Sequence, residues 1–331
     1  MPVQLADLTL DPPVFLAPLA GITDLPFRRL VAGFGAGLVV SEMVASGELL
    51  GRKASVRAKA RTDLGLADTV RTSVQLAGRE ARPMAEAARL VAEMGAAIID
   101  INMGCPARKV TGGASGSALM RDPDHALRLI EAVVGAVEVP VTLKCRLGWD
   151  GDCLNAPALA RRAEAAGVKM ITVHGRTRQQ FYRGCADWAA IRAVKEAVNI
   201  PVIANGDVRD KASARAALDA SGGDGVMVGR GIRGAPWRLA EITAALTGAP
   251  APRRPTGPEL RDLVSEHYEA ILGFYGSQLG VRIARKHLGW YLDEAGANPM
   301  MRADLMTQTD PARALALIDR AFAEAGPGAA A

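Results

Sequence analysis

Aromatic residues are scarce in this 331-residue chain: Phe, Trp and Tyr together make up 4% of it. A core of ordinary size therefore has to be filled by Ala, Leu, Val and Ile. Cysteine is sparse as well. Cys105, Cys145, Cys153 and Cys185 form no CxxC pair, and His125, His174, His267 and His287 are scattered, so no metal site is expected. No apolar run is long enough to cross a membrane. The opening MPVQLADLTLDPP has neither the basic nor the apolar region of a secretory signal, so a cytoplasmic location is expected, where disulfides are rare. An excess of one charge is also missing. With 40 Lys and Arg against 35 Asp and Glu, the net charge of +5 permits an anionic partner without requiring one.

What the chain does have is a beat. Short apolar, β-branched runs recur at VFLAP (14–18), GLVVSEM (37–43), TSVQLA (72–77), AAIIDIN (96–102), PVTLKCR (140–146), KMITVH (169–174), IPVIAN (200–205) and DGVMVG (224–229). Stretches with apolar residues at helical spacing, such as DPDHALRLIEAVVGAV, separate them. Alternating strand and helix implies a parallel sheet, and eight such units fit a (β/α)8 TIM barrel. The second unit is the least regular, because residues 44–71 are charged and poorly periodic. An open doubly wound sheet is the competing architecture, but its first strand would more naturally lead into a GxGxxG turn than into APLAGITD. After TGAPAPRRPTGPEL (247–260) the strand signals stop. Residues 258–294 and 310–324 read as helices, predicting a barrel domain over 1–248 and a small all-helical domain over 249–331, with a frayed GPGAAA end.

In such barrels the active site lies at the C-terminal ends of the strands. Side chains alternate along a strand, so Lys144 and Arg146 share one face of the fifth while Cys145 points the other way; Thr172 and His174 likewise share a face of the sixth. Asn102 ends the fourth strand and Gln75 lies near the end of the third. A lysine within VTLKC needs an anionic or hydrogen-bonding partner, and Asp100 is the simplest structural one. NGD (205–207) and GRG (229–231) follow the seventh and eighth strands, where backbone N–H groups often bind phosphate. Arg230 adds charge there. The GGASGS segment (112–117) fits neither GxGxxG nor the P-loop pattern and reads as a mobile cover over Cys105. Together these residues outline a phosphate site, a polar centre and a thiol above them, an arrangement suited to flavin mononucleotide (FMN).

APLAGITDLPFRRL (17–30), NMGCPARKVTGGASGSALM (102–120), TLKCRLGW (142–149), HGRTRQQFYRGCADW (174–188), NGD and GRGIRGAPW (229–237) resemble the bacterial tRNA-dihydrouridine synthases, the B-type branch most of all. RIARKHLGWYL (282–292) resembles that family's C-terminal helical region. Leu19 departs from the methionine many members carry in APM. The resemblance implies an FMN-bearing barrel followed by a tRNA-binding helical domain. It implies NADPH (or NADH) as hydride donor and reduction of the C5–C6 double bond of particular uridines in tRNA. Carried over by motif, Ala17, Pro18, Leu19, Gln75, Lys144, His174, Asn205, Gly206, Asp207, Gly229 and Arg230 would line the flavin. Asn102 would hold the uracil and Cys105 would donate the proton.

A uracil inside folded tRNA has to leave its stack to meet a flavin, so the protein has to grip the surrounding backbone. Arg282, Arg285 and Lys286 stand at i, i+3 and i+4 on one helical face, with Val281, Ala284 and Leu288 on another. Arg176, Arg178 and Arg183 are expected to add charge at the mouth beside Tyr182, and Arg108 and Lys109 project from the cysteine loop. Cys145 is expected to be core packing. Two other functions remain compatible with the residues alone. One is an FMN barrel acting on a free pyrimidine, as in the dihydroorotate dehydrogenases; the other is an RNA-binding regulatory protein that keeps a flavin for stability.

Overall fold

The computed structural model describes residues 1–51 and 70–323. Most of the irregular 44–71 segment and the terminal GPGAAA lie outside the described residues.

Eight strands form the barrel: Val14–Leu16 (β1), Leu38–Val40 (β2), Thr72–Ala77 (β3), Ile98–Met103 (β4), Val141–Arg146 (β5), Met170–His174 (β6), Val202–Asn205 (β7) and Gly225–Val228 (β8). All neighbouring pairs are parallel. The ring closes because β8 pairs with β1 and β2 pairs with β3, which rules out the open sheet. The observed strands fall inside the eight apolar runs, save that β4 goes one residue further, to Met103, as expected for β-branched segments buried on both faces. Helices Leu25–Gly33 (α1), Ala81–Glu93 (α2), Pro123–Val134 (α3), Ala156–Ala165 (α4), Ala189–Lys195 (α5), Lys211–Ser221 (α6) and Arg238–Thr247 (α7) surround them. Their apolar stripes and the outward-facing strand residues form the main core, Cys145 among them. Burial pushes that thiol up to about 12, so it is inert, as the alternation along β5 predicts.

A feature the sequence did not signal closes the other end. Val3–Leu5 pairs antiparallel with Leu8–Leu10, and Val3, Leu5 and Leu10 pack against inward-facing Leu38, Ile98 and Met170. Each of those three opens its strand, so the hairpin plugs the N-terminal end of the barrel and leaves the C-terminal mouth accessible. Arms of three residues are too short to show a period.

Helix α7 stops at Gly248, whose φ of 76° is left-handed. Four helices are described beyond it: Pro258–Tyr275 (α8), Ser277–Glu294 (α9), Pro299–Thr307 (α10) and Pro311–Ala323 (α11). Where one helical stretch over 258–294 was expected, Gly276 at φ 75° breaks it into two. Helix α10 was not anticipated either, since its apolar residues follow no clean stripe. Tyr268, Ile271, Ala284, Leu288, Leu292 and Phe322 lie in a second apolar core. That core is continuous with the barrel: Ala235 and Trp237 belong to it, and Phe27 of α1 lies 5.7 Å from His267 and 5.3 Å from His287, ring to ring. Gly234, at φ 73°, lets the chain pass against α9, where an added Cβ would come within 2.3 Å of the Trp290 carbonyl oxygen.

Candidate active site

The C-terminal strand ends enclose a cavity of about 600 Å³, within the range of small-molecule sites. Its lining contains every residue expected around a flavin, from Ala17, Pro18 and Leu19 through Gln75 and Lys144 to Gly229 and Arg230, together with Asn102 and Cys105. Residues scattered over more than two hundred positions meet because each lies toward the C-terminal end of a strand or in the loop after one.

The cysteine loop is held from three sides. Asn102 Oδ1 accepts from the N–H groups of Gly104 (3.2 Å) and Cys105 (3.0 Å). Arg146, fully buried beside Lys144, donates through Nε to the Gly104 carbonyl at 2.8 Å. From below, Ser117 donates to the Cys105 carbonyl through its N–H at 3.1 Å and its hydroxyl at 2.9 Å. Gly116, at φ 60°, lies so close that a Cβ would come within 2.8 Å of that carbonyl oxygen. The second half of GGASGS is therefore a brace packed beneath Cys105, not the cover that its glycines suggested. Glycine here serves close approach.

Asn102 is itself oriented. Its Nδ2 donates to Gln75 Oε1 and Gln75 Nε2 donates to Asp100 Oδ2, both at 2.6 Å. Thr142 donates to the other Asp100 oxygen at 2.6 Å. Asp100 is buried, which raises its pKa against the lowering effect of those two hydrogen bonds. Its carboxylate fixes both amides in turn. The alternative of a Lys144–Asp100 pair is not what forms: Lys144 Nζ donates to Asn205 Oδ1 at 2.9 Å, and Asn205 Nδ2 donates to the Met227 carbonyl. Burial lowers the Lys144 pKa to about 8, opposed by the charge of Asp100, so the ammonium persists at neutral pH.

His174 is pushed well below its usual pKa, first by burial and then by Lys144, Arg146, Arg176 and Arg230, so the imidazole is neutral. Arg176 Nη1 lies 3.2 Å from His174 Nε2; since a guanidinium only donates, Nε2 accepts and Nδ1 carries the hydrogen. The expectation that Arg176 meets RNA is corrected. It is 2% exposed, and its five N–H groups go to His174 Nε2, both oxygens of Asp207, and the carbonyls of Arg183 and Gly184. It ties the β6 loop to the β7 loop. Burial opposes ionisation of Asp207, yet the bonds from Arg176 and the Ala186 N–H outweigh it and hold the carboxyl below its usual range.

At the β7–β8 side, Gly206 has φ 110°, and a Cβ there would come within 2.9 Å of the His174 ring. Arg209, Arg230 and Arg233 line this side of the cavity, the first and last not anticipated. Neither belongs to the NGD or GRG stretch, and only the packing of the two loops, with Gly231 close against Val208 and Arg209, brings them together. Three guanidiniums beside glycine-bearing turns suit a phosphate-bearing planar ligand, and the half-buried Lys144 suits negative charge at its other end.

The remaining basic residues do not line the cavity. Arg178 sits over the Trp149 ring at 4.8 Å, with Arg121 over the same ring at 4.9 Å. On α9 the expected basic face exists, but its members differ. Arg282 is exposed, Arg285 donates to the Gln308 carbonyl at 2.9 Å, and Lys286 donates to the Gly21 carbonyl on the β1 loop. Among the described residues no cluster could hold a metal ion, and no helix is long and apolar enough to cross a membrane.

The closed barrel, its plugged floor and a mouth carrying a thiol, a half-buried ammonium and a neutral imidazole suit a barrel enzyme that holds a cofactor. Residues 15–326 match the family described as dihydrouridine synthase (Dus), and the chain belongs to that family of flavin-dependent oxidoreductases. It is 71% identical over 324 residues to a probable tRNA-dihydrouridine synthase of Rhodobacter capsulatus, covering 98% of this chain and 99% of the relative. It is 55% identical over 303 residues to a probable tRNA-dihydrouridine synthase of Rhizobium leguminosarum bv. phaseoli, covering 90% and 91%. A tRNA-dihydrouridine synthase B of Xanthomonas campestris pv. campestris is 48% identical over 318 residues, covering 95% and 94%, in agreement with the B-type resemblance.

Proposed function

We propose that this protein reduces the C5–C6 double bond of uridines in tRNA to 5,6-dihydrouridine, with FMN in the barrel mouth and NADPH (or NADH) as hydride donor. FMN, when bound, would supply the two-electron hydride chemistry. Ala17, Pro18, Leu19, Gln75, Lys144, His174, Asn205, Gly206, Asp207, Gly229 and Arg230, all lining the cavity, would hold it. Lys144 would set a positive charge beside it, and Arg230, with Arg209 and Arg233, would take its phosphate.

Cys105 donates the proton. Its Sγ–H bond breaks as a C5–H bond forms, and solvent reprotonates the thiolate. A thiol is a weak acid, but the developing C5 carbanion or enolate is a far stronger base. Asn102 offers the base its second Nδ2–H, which at present faces the thioether of Met43 at 3.9 Å, a weak acceptor that a uracil carbonyl displaces. The observation that carries this reading is a thiol whose loop is braced by Asn102, Arg146 and Ser117 and which lines the same cavity as the half-buried Lys144. Residues 1–248 serve as the catalytic domain and 249–331 as the tRNA-binding domain, where Arg282 is exposed to meet phosphate. A free-pyrimidine reductase would leave the helical region without a role.

The test is mass-spectrometric mapping of dihydrouridine in tRNA from cells lacking the protein, restored with wild type or Cys105→Ala. Wild type is expected to restore specific dihydrouridines. Cys105→Ala is expected to bind tRNA normally and lose at least about a hundredfold in rate, the usual scale of a lost general acid. Full restoration by Cys105→Ala rejects the proton-donor role, and unchanged dihydrouridine in the deletion strain rejects the tRNA reading.

A further inference from the structure

The loop from Gly175 to Trp188 carries two adjacent rings at the rim of the cavity: Phe181 is 43% exposed and Tyr182 40%. They meet edge to face with centroids 4.7 Å apart. Tyr182 has cationic company, with the Arg230 guanidinium 4.5 Å and that of Arg146 5.6 Å from its ring. Phe181 does not. Among the described residues, Tyr182 is its one ring partner.

The backbone holds Phe181 outward at a cost. Its φ is 56°, the left-handed region that non-glycine residues avoid. Its N–H bonds to the Arg178 carbonyl at 3.0 Å, and its own carbonyl accepts from buried Arg146 at 2.9 Å. Arg176 fixes the next turn through the carbonyls of Arg183 and Gly184. Two buried arginines thus hold a strained loop whose product is one exposed apolar ring. Strain kept in place by its surroundings marks functional positions. Its ring partner Tyr182 carries the cations, and Arg178 and the exposed Arg183 stand three residues before and two after Phe181 in the same loop. Exposed aromatic rings set among cations are how proteins hold unpaired nucleobases.

Resting on the tRNA reading above, we propose that Phe181 is a stacking platform for the nucleobase adjacent to the reacting uridine. Extruding a uridine removes a stacking neighbour from the base beside it, and a rigid exposed ring at the rim replaces that neighbour. The reacting uracil itself has to reach Cys105 and Lys144 inside the cavity, so the exposed ring serves the base that stays outside. The shape of the loop makes the stack available before RNA arrives.

The test uses the full-length, flavin-loaded protein with Phe181→Ala, Phe181→Leu and Phe181→Trp, on tRNA carrying 2-aminopurine immediately 5′ or 3′ of the target uridine. Wild type is expected to change the fluorescence at one of the two positions on binding. Phe181→Ala is expected to abolish that change and to lower kcat/KM for tRNA roughly 5- to 150-fold, the range that losing one base–aromatic stack implies. Tryptophan is expected to restore both and leucine neither. The proposal is overturned if Phe181→Ala leaves both readouts at wild-type values, or if leucine restores them as well as tryptophan. It is equally overturned if flavin reduction by NADPH without RNA falls in the same proportion, since Phe181 would then serve the cavity alone. The fluorescence readout needs no turnover, so wild-type protein that stacks the base without reducing the uridine sinks the reduction reading and not this one.

Discussion

Lys144 stands inside the barrel with one neutral partner, Asn205, and burial has brought its pKa down to about 8. A lysine in this state is a charge about to be lost, which suits a site that gathers negative charge on a bound ring. The consequence is a pH limb. The ammonium is present below about pH 8 and titrates away above it, so flavin affinity is expected to weaken by up to about tenfold per pH unit beyond that point. Lys144→Arg, whose guanidinium stays charged, is expected to bind flavin less well at neutral pH but to lose the limb. Titration of flavin fluorescence across that pH checks both, and a flat wild-type profile refutes the assignment. Arg176 illustrates the opposite case. It lies two positions beyond His174 and was expected at the surface, yet all its donors are committed within the protein.

Between single residues and the whole molecule, elements are joined by groups that a local pattern cannot pair. Phe27 of α1, His267 of α8, and His287 and Tyr291 of α9 form one buried aromatic cluster where the helical region meets the barrel. His267 donates to or accepts from the Tyr291 hydroxyl at 3.0 Å. Both imidazoles are neutral: burial lowers His267 to about 3 and, joined by His267 and Lys286, lowers His287 well below its usual value. The unfolded chain protonates both below about pH 6.5, so there it binds more protons than the folded protein. Stability therefore falls as the pH drops from about 6.5 toward 3, by up to roughly 1.4 kcal/mol per pH unit for each histidine. Thermal melts across this window check the slope, and His287→Phe, which keeps a ring and removes a titration, is expected to flatten it. An unchanged slope in that variant would place the acid sensitivity elsewhere.

At the scale of the molecule, the helical region is seated on the barrel near the β1 loop, through Lys286 on the Gly21 carbonyl, Arg238 on Glu294, and Gly234 against Trp290. This divides the basic face of α9. Arg282 is free for phosphate, whereas Lys286 belongs to the joint and Arg285 to the turn before α11. Arg282→Ala is therefore expected to reduce the salt dependence of tRNA binding by about one unit of log–log slope, with little change in melting temperature. Lys286→Ala is expected to lower the melting temperature instead. Filter binding over a salt series together with thermal melts separates them, and equal loss of slope in both variants would return the whole stripe to RNA.

Much of this was legible in the chain. Eight apolar runs with helical spacers determined the barrel, because parallel strands buried on both faces require continuous apolar segments and helices to cover them. Period-two alternation placed Lys144 inward and Cys145 outward, and the strand-end rule assembled Gln75, Asn102, Cys105, His174 and Asp207 around one mouth. Tertiary structure alone decided the rest. It committed Arg176 to Asp207, gave Lys144 to Asn205, turned Gly116 and Ser117 into a brace, and brought Arg209 and Arg233 to the phosphate side. Apart from the brace, which folds back on its own loop, the partners come from loops or strands distant in sequence. Local periodicity specifies which way a side chain faces; only the closed ring of strands specifies what it faces.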